Sequence, residues 1–415
     1  MILLLLFILF YFIYRNQKPL VKFLLLIQIC SLVAYMLINK KAELDSFYSF
    51  LNLFVTGIYL LIIILAWSSY GNVCTLIVKD EKNIKRFTNI LLIISFYAFV
   101  VLLITAILVN VLVDDINTFK YGGESVEFYY NMLPFNVKFL ILAHYLYGLG
   151  YFMIPLHFYY LSKQKYWLSF FCFLFSLNII LYGLTYFSRA TIVNYIFIYL
   201  SIFLILYKAM PSIVLVYLKR VIFFVFVLVL GYFSFVTLSR FNDTSVYSNM
   251  IPSDSFIQNP ALYSVCDYLS QWYPLSIDVL NDYSGITFNG QTSLKSLLSL
   301  LNHLGIGDFS LEKYTILRNE MWKENSGNFV GFVAYIIYDY GYIISFLLLI
   351  LYLFIVTKLK SKYNTIRLFH LFYIVLLVQI PLMAIFYSII DQLIIPFIFL
   401  LSLSLFSRLK LNINR

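Results

Sequence analysis

Three observations on this chain predict an all-α integral membrane protein that crosses the bilayer many times. Hydrophobic residues make up 62% of its 415 positions and charged residues only 12%, with a mean hydropathy of +0.90. A water-soluble domain does not carry such a balance. Apolar runs of about 20 residues recur from end to end, each long enough to cross a hydrocarbon core roughly 30 Å thick. The runs are unbroken rather than alternating, as helices require and barrel strands do not.

Taken in order, hydropathy marks about eleven spans. The first, 1–14, has no basic stretch ahead of it and no small-residue cleavage site, so it reads as a retained helix rather than a signal peptide. Runs at 19–38, 46–68, 87–113, 135–161, 166–187, 190–207 and 221–238 complete an amino-terminal bundle of about eight helices over 1–238. Residues 239–327 are the one long polar segment. Runs at 328–357, 368–387 and 391–407 then form a carboxyl-terminal group of about three helices over 328–415. No internal repeat period is visible, which speaks against a duplicated transporter.

Basic residues orient these helices. With the amino terminus outside, every inner segment is basic, and together these segments hold 19 of the 29 Lys and Arg. Only Asp80 and Glu81 oppose them. The positive-inside rule therefore places the carboxyl terminus inside and the large polar segment outside. The basic pair Lys40–Lys41 runs against the pattern. The net charge of +10 is thus read as membrane orientation, and no nucleic-acid partner is expected. Cys30, Cys74, Cys172 and Cys266 form no spaced pair, which argues against a disulfide framework or a zinc site.

Two short outer segments matter as well. Residues 114–134 carry Asp114, Asp115, Glu124 and Glu127 around a Tyr121-Gly122-Gly123 turn. Ser188 to Thr191 is a tight turn between two spans.

The 239–327 segment interleaves carboxylates and arginines with aromatics, among them Tyr268, Trp272 and Trp322. Aromatic faces stack on sugar rings and carboxylates accept hydrogen bonds from sugar hydroxyls, so this is a saccharide-handling composition. The chain has no ATP-binding loop, no metal-ligand spacing and no Ser-His-Asp signature, and neither a metal nor a cofactor is expected. A transferase working outside has no nucleotide sugars. Its donor must carry its activation with it, as a glycan linked through diphosphate to a membrane lipid does.

A departing diphosphate needs cationic support, which singles out the outer arginines Arg189, Arg240 and Arg318. Each is equally at home as a snorkelling anchor or in a salt bridge. His303, the one outer histidine, sits beside Gly305 and Gly307 and is a candidate base. His144, His157 and His370 read as satisfied helical histidines. Asp339 stands about eleven residues into the run that begins at Asn328, roughly 16 Å down a continuous helix. A carboxylate at that depth is a functional candidate unless the run is re-entrant, which Gly331 and Gly341 make feasible.

Ser326-Gly327-Asn328-Phe329 followed by Tyr338-Asp339-Tyr340-Gly341 resembles the stretch after the main outer loop of O-antigen polymerases of the Wzy type. Tyr268-Leu269-Ser270, Asn281, Phe288-Asn289-Gly290-Gln291-Thr292 and Leu304-Gly305 are similar to the loop of that family, and Ser188-Arg189 fits its short turn. The resemblance implies a glycosyltransferase-C-like helical fold in the bacterial inner membrane. The implied enzyme moves a growing glycan en bloc from undecaprenyl diphosphate to a fresh lipid-linked repeat unit at the periplasmic face. It further implies Asn328 as a substrate-binding residue, a membrane-lipid environment and a chain-length regulator as partner. Gly327-Asn328 stands where the related ligases carry His-Asn, which favours polymerase over ligase. A lipid-linked oligosaccharide flippase is the reading from a different class.

Overall fold

The structure, a computed structural model, describes residues 2–14, 19–38, 47–70, 73–78, 80–113, 119, 124–220, 222–223, 227, 231, 251–322, 329–359 and 365–413. Arg240, Asn328 and most of the expected span at 221–238 lie outside the described residues. The first helices are α1 (Ile2–Ile13), α2 (Pro19–Ile38), α3 (Phe47–Leu65) and α4 (Glu81–Leu112). Next come α5 (Glu124–Asn131), α6 (Val137–Leu146), α7 (Gly150–Ser162), α8 (Tyr166–Ser176), α9 (Asn178–Thr185), α10 (Arg189–Leu206) and α11 (212–220). The polar segment contributes α12 (Pro260–Ser270), α13 (Trp272–Asn281), α14 (Gln291–His303) and α15 (Leu311–Trp322). The chain closes with α16 (Gly331–Lys358), α17 (Leu368–Leu377), α18 (Gln379–Met383) and α19 (Ile390–Ile413). Two three-residue strands, β1 (Thr75–Ile77) and β2 (Thr365–Arg367), pair in parallel.

Among the described residues seven helical stretches are long and apolar enough to cross a membrane: Pro19–Ile38, Tyr48–Ser68, Glu81–Leu112, Val137–Ser162, Tyr166–Thr185, Arg189–Ala209 and Gly331–Lys358. Each coincides with an expected span, so the fold is helical and of the polytopic membrane kind. Leu3–Ile13, Leu368–Met383 and Ile390–Leu403 are apolar but shorter.

The chain forms two compact units from interleaved segments. One comprises Asn72–Met210, Leu359–Gln379 and Gln392–Arg415. Its helix α4 starts at Asp80, whose carboxylate accepts the Asn83 N–H at 3.0 Å and so meets one of the orphan donors of the first turn. His157 on α7 lies buried with Nδ1 2.8 Å from Ser169 Oγ and Nε2 2.9 Å from Tyr199 OH, a satisfied core histidine as its sequence context suggests. Buried polar groups in apolar surroundings persist only when paired in this way.

The other unit comprises Met1–Gly71, Pro211–Lys358 and Ile380–Asp391. Within it the described part of the polar segment, 251–322, holds four packed helices. Asn259 caps α12 through the Leu262 N–H at 3.1 Å, and Pro260 occupies the first turn, where its missing N–H costs nothing. Trp272 is 1% exposed and donates its indole N–H to Ser31 Oγ at 2.6 Å, while Ser31 donates to the Leu269 carbonyl at 2.8 Å. At the far end of α13, Asn281 Nδ2 donates to Ser49 Oγ and Asn52 Nδ2 donates to Asn281 Oδ1, each at 2.9 Å. These bonds fasten α12 and α13 to the apolar helices α2 and α3.

At α16 the structure decides between the two readings of the run through Asp339, a continuous helix or one interrupted at its glycines. Gly341 has φ 75° and ψ 169°, a conformation open essentially to glycine alone, and it breaks the helix two residues after Asp339. Several carbonyls around the break accept hydrogen bonds from other parts of the chain. Phe288 N–H donates to the Tyr338 carbonyl at 2.8 Å and Gly290 N–H to that of Asp339 at 3.2 Å. Tyr59 OH donates to the Tyr342 carbonyl, and Ser345 Oγ to that of Ile336, both at 2.7 Å. A bond between residues nine apart is impossible along a straight helix, where they would be about 13 Å apart. Asp339 therefore ends a short helix and does not sit deep in a long one.

That short helix begins at Gly331, with φ +78° and a position for Cβ only 3.4 Å from the Ala384 carbonyl oxygen and from Trp272 Cβ. Gly331→Ala is expected to destabilise the protein by about 1–2 kcal/mol, the cost of a side chain in the left-handed region. Thermal unfolding in detergent measures it; an unchanged midpoint contradicts this account of the turn.

Candidate functional site

The break in α16 builds a polar site against α14 and α15. Gly290 has φ +79°, and a Cβ there would meet the Tyr340 ring at 3.2 Å, so glycine lets the start of α14 approach the end of the short helix. Asp339, 1% exposed, then caps α14 from outside its own chain segment. Its Oδ1 accepts the Thr292 N–H at 3.0 Å; Oδ2 accepts the Ser293 N–H at 2.8 Å and the Ser293 hydroxyl at 2.5 Å. A carboxylate at a helix amino terminus is favoured by the orphan N–H groups and by the helix dipole. A second carboxylate, Asp391 in the first turn of α19, accepts the Ser296 N–H.

Helix α15 supplies the facing wall. Tyr314, 5% exposed, donates from its hydroxyl to Thr292 Oγ1 at 3.2 Å. Burial raises the Tyr314 hydroxyl above its ordinary value. The bond to Thr292 and the Arg318 charge oppose that rise, and Asp339 and Asp391 add to it. One cation and two carboxylates thus all act on the same hydroxyl.

One turn on from Tyr314 comes Arg318, and one further turn brings Trp322, three positions on one helix face. Trp322 is 2% exposed, wrapped by Tyr335, Tyr338 and Phe288 with ring centroids 4.7, 5.8 and 5.9 Å away. Its indole Nε1 and the Nε of Arg318 are both buried, and neither meets an acceptor among the described residues. Two buried donors on adjacent turns without acceptors are unusual, since each such group costs about 1–3 kcal/mol. The arrangement can accept an anionic oxygen from a ligand.

Arg318, Asp339 and Trp322 are therefore brought together. The other sequence candidates fall elsewhere. His303 is exposed at the opposite end of α14, about 15 Å from Ser293, with Nδ1 2.7 Å from the Ser299 carbonyl. Trp272 is part of the α2 contact described above, and Tyr268 packs on Phe329 and Phe386 with centroids 5.0 and 5.5 Å away. Arg189 begins α10 in the other unit. Asp391 went unmarked in the sequence because a carboxylate at the edge of an apolar run is ordinary there; only its contact with Ser296 distinguishes it. Among the described residues no three His, Cys, Asp or Glu side chains converge as a metal site would require. No family model, no curated protein and no solved structure matches the chain.

Proposed function

We propose that the chain is a polysaccharide polymerase, a membrane glycosyltransferase acting on lipid-linked saccharides at the outer face of the bacterial inner membrane. In this reading the anomeric carbon of a growing glycan leaves undecaprenyl diphosphate and bonds to a hydroxyl of the fresh lipid-linked repeat unit. The acceptor proton passes to a base, and lipid diphosphate departs. No nucleotide or metal is expected to take part. The arrangement of about eleven spans, with residues 239–327 outside and a chain-length regulator as partner, belongs to the same proposal.

One observation carries it: the buried donor pair of Arg318 Nε and Trp322 Nε1 lacks acceptors within the described chain. A diphosphate oxygen supplies such an acceptor, and guanidinium remains charged throughout the reaction. Arg189 and Arg240 stay in the proposal as further cations for the lipid carrier.

Deleting the gene tests the reading. Surface lipid is expected to carry a single repeat unit, seen on a gel as one band above unsubstituted lipid. Complete loss of capped lipid points instead to a ligase or a flippase.

A further inference from the structure

Helix α14 has a second aspect, independent of which reaction the chain catalyses. Its leucines Leu294, Leu297, Leu298 and Leu301 recur at helical spacing and all remain partly exposed. Beyond its end, Gly305 adopts φ +73°, and the Ile306 N–H returns to the Leu301 carbonyl at 3.0 Å. This glycine cap holds the turn in one conformation and projects two aliphatic side chains outward. Leu304 is 62% exposed and Ile306 72%. Two apolar groups held outward by one turn at the end of an amphipathic helix form a tip suited to an apolar phase.

Two carboxylates of its own unit, Asp339 and Asp391, hold the first turns of α14. Asp339, which holds Thr292 and Ser293, lies two residues before the Gly341 break. The part of α16 that follows exposes Ile343 at 79% and Leu347 at 59%, an apolar surface on a helix long enough to span a membrane. Asp391, which holds Ser296, stands in the first turn of the apolar α19. Two points along α14 are therefore tied to residues that border apolar helices, Asp339 just before the Gly341 break and Asp391 in the first turn of α19.

We propose that α14 and the Leu304–Ile306 turn are an interfacial element lying along the bilayer rim, with Leu304 and Ile306 in the boundary between headgroups and acyl chains. The partner is bilayer lipid, met as an amphipathic interfacial helix meets it. Asn302, His303 and Asp308 beside the turn are exposed and polar, suited to the headgroup layer.

Ile306→Cys in a chain whose four native cysteines are alanine, labelled with an environment-sensitive nitrobenzoxadiazole, tests this in vesicles of phosphatidylethanolamine and phosphatidylglycerol. The label is expected to emit to the blue of the same label at Glu320→Cys. Lipid carrying a nitroxide at acyl carbon 5 should quench it about twofold or more above that control. Leu304→Cys repeats the reading from the other side of Gly305, should one position label poorly. Quenching by aqueous iodide equal to that at position 320, without quenching by nitroxide lipid, overturns the proposal.

Discussion

Arg318→Ala is expected to slow chain extension by about 10²–10³-fold, the usual cost of removing one preorganised donor from a developing charge. The protein should accumulate in the membrane as before and melt no earlier, because the Arg318 Nε has no acceptor among the described residues to lose. This pairing of a large rate effect with an unchanged midpoint is what separates a substrate contact from a structural one. Arg318→Lys keeps the charge but loses the planar fork, so an intermediate rate is expected. Trp322→Phe removes the N–H together with part of a buried ring, so a loss of about tenfold in rate, in line with one hydrogen bond to a charged group, is expected beside an earlier melt. Wild-type polymer lengths from Arg318→Ala, read on a gel and in a rate assay with purified lipid-linked repeat unit, would take Arg318 out of the mechanism.

Asp339→Ala is expected to act in the opposite way, through stability. It strands two buried backbone N–H groups and a serine hydroxyl, each worth about 1–3 kcal/mol when unmet. The total is a large share of the stability of an ordinary fold, so the variant should melt far earlier or fail to elute as a single species in detergent. Asp339→Asn retains one acceptor oxygen and should fall between. If instead the alanine variant melts normally while extension is lost, Asp339 acts on the substrate and not as the cap of α14.

The two cases show how unevenly site and fold can be read from residues alone. Arg318 and Asp339 stand out as candidates from their chemistry alone, a cation in the polar segment and a carboxylate within an apolar run. What each side chain touches is not visible there. Asp339 reads as a buried charge until the Gly341 break shows that it ends a helix, and His303 reads as a candidate base until α14 carries it to the far end from Asp339. Trp272 and Trp322 are indistinguishable as sequence. One donates to Ser31, while the other keeps an N–H with no acceptor among the described residues.

Residue order by itself determined the helical membrane class and the position of seven long apolar helices. Hydropathy is a sum over a local window, and the backbone in lipid has almost no alternative to a helix. Gly341 allowed a break but did not require one, and the cap on α14, the second carboxylate at Asp391 and the Arg318–Trp322 face emerged only in three dimensions. Thr292 and Ser293 meet Asp339 across 47 and 46 residues, and Ser296 meets Asp391 across 95. No local pattern encodes a hydrogen bond over such separations, because its partners become neighbours only after the helices have packed.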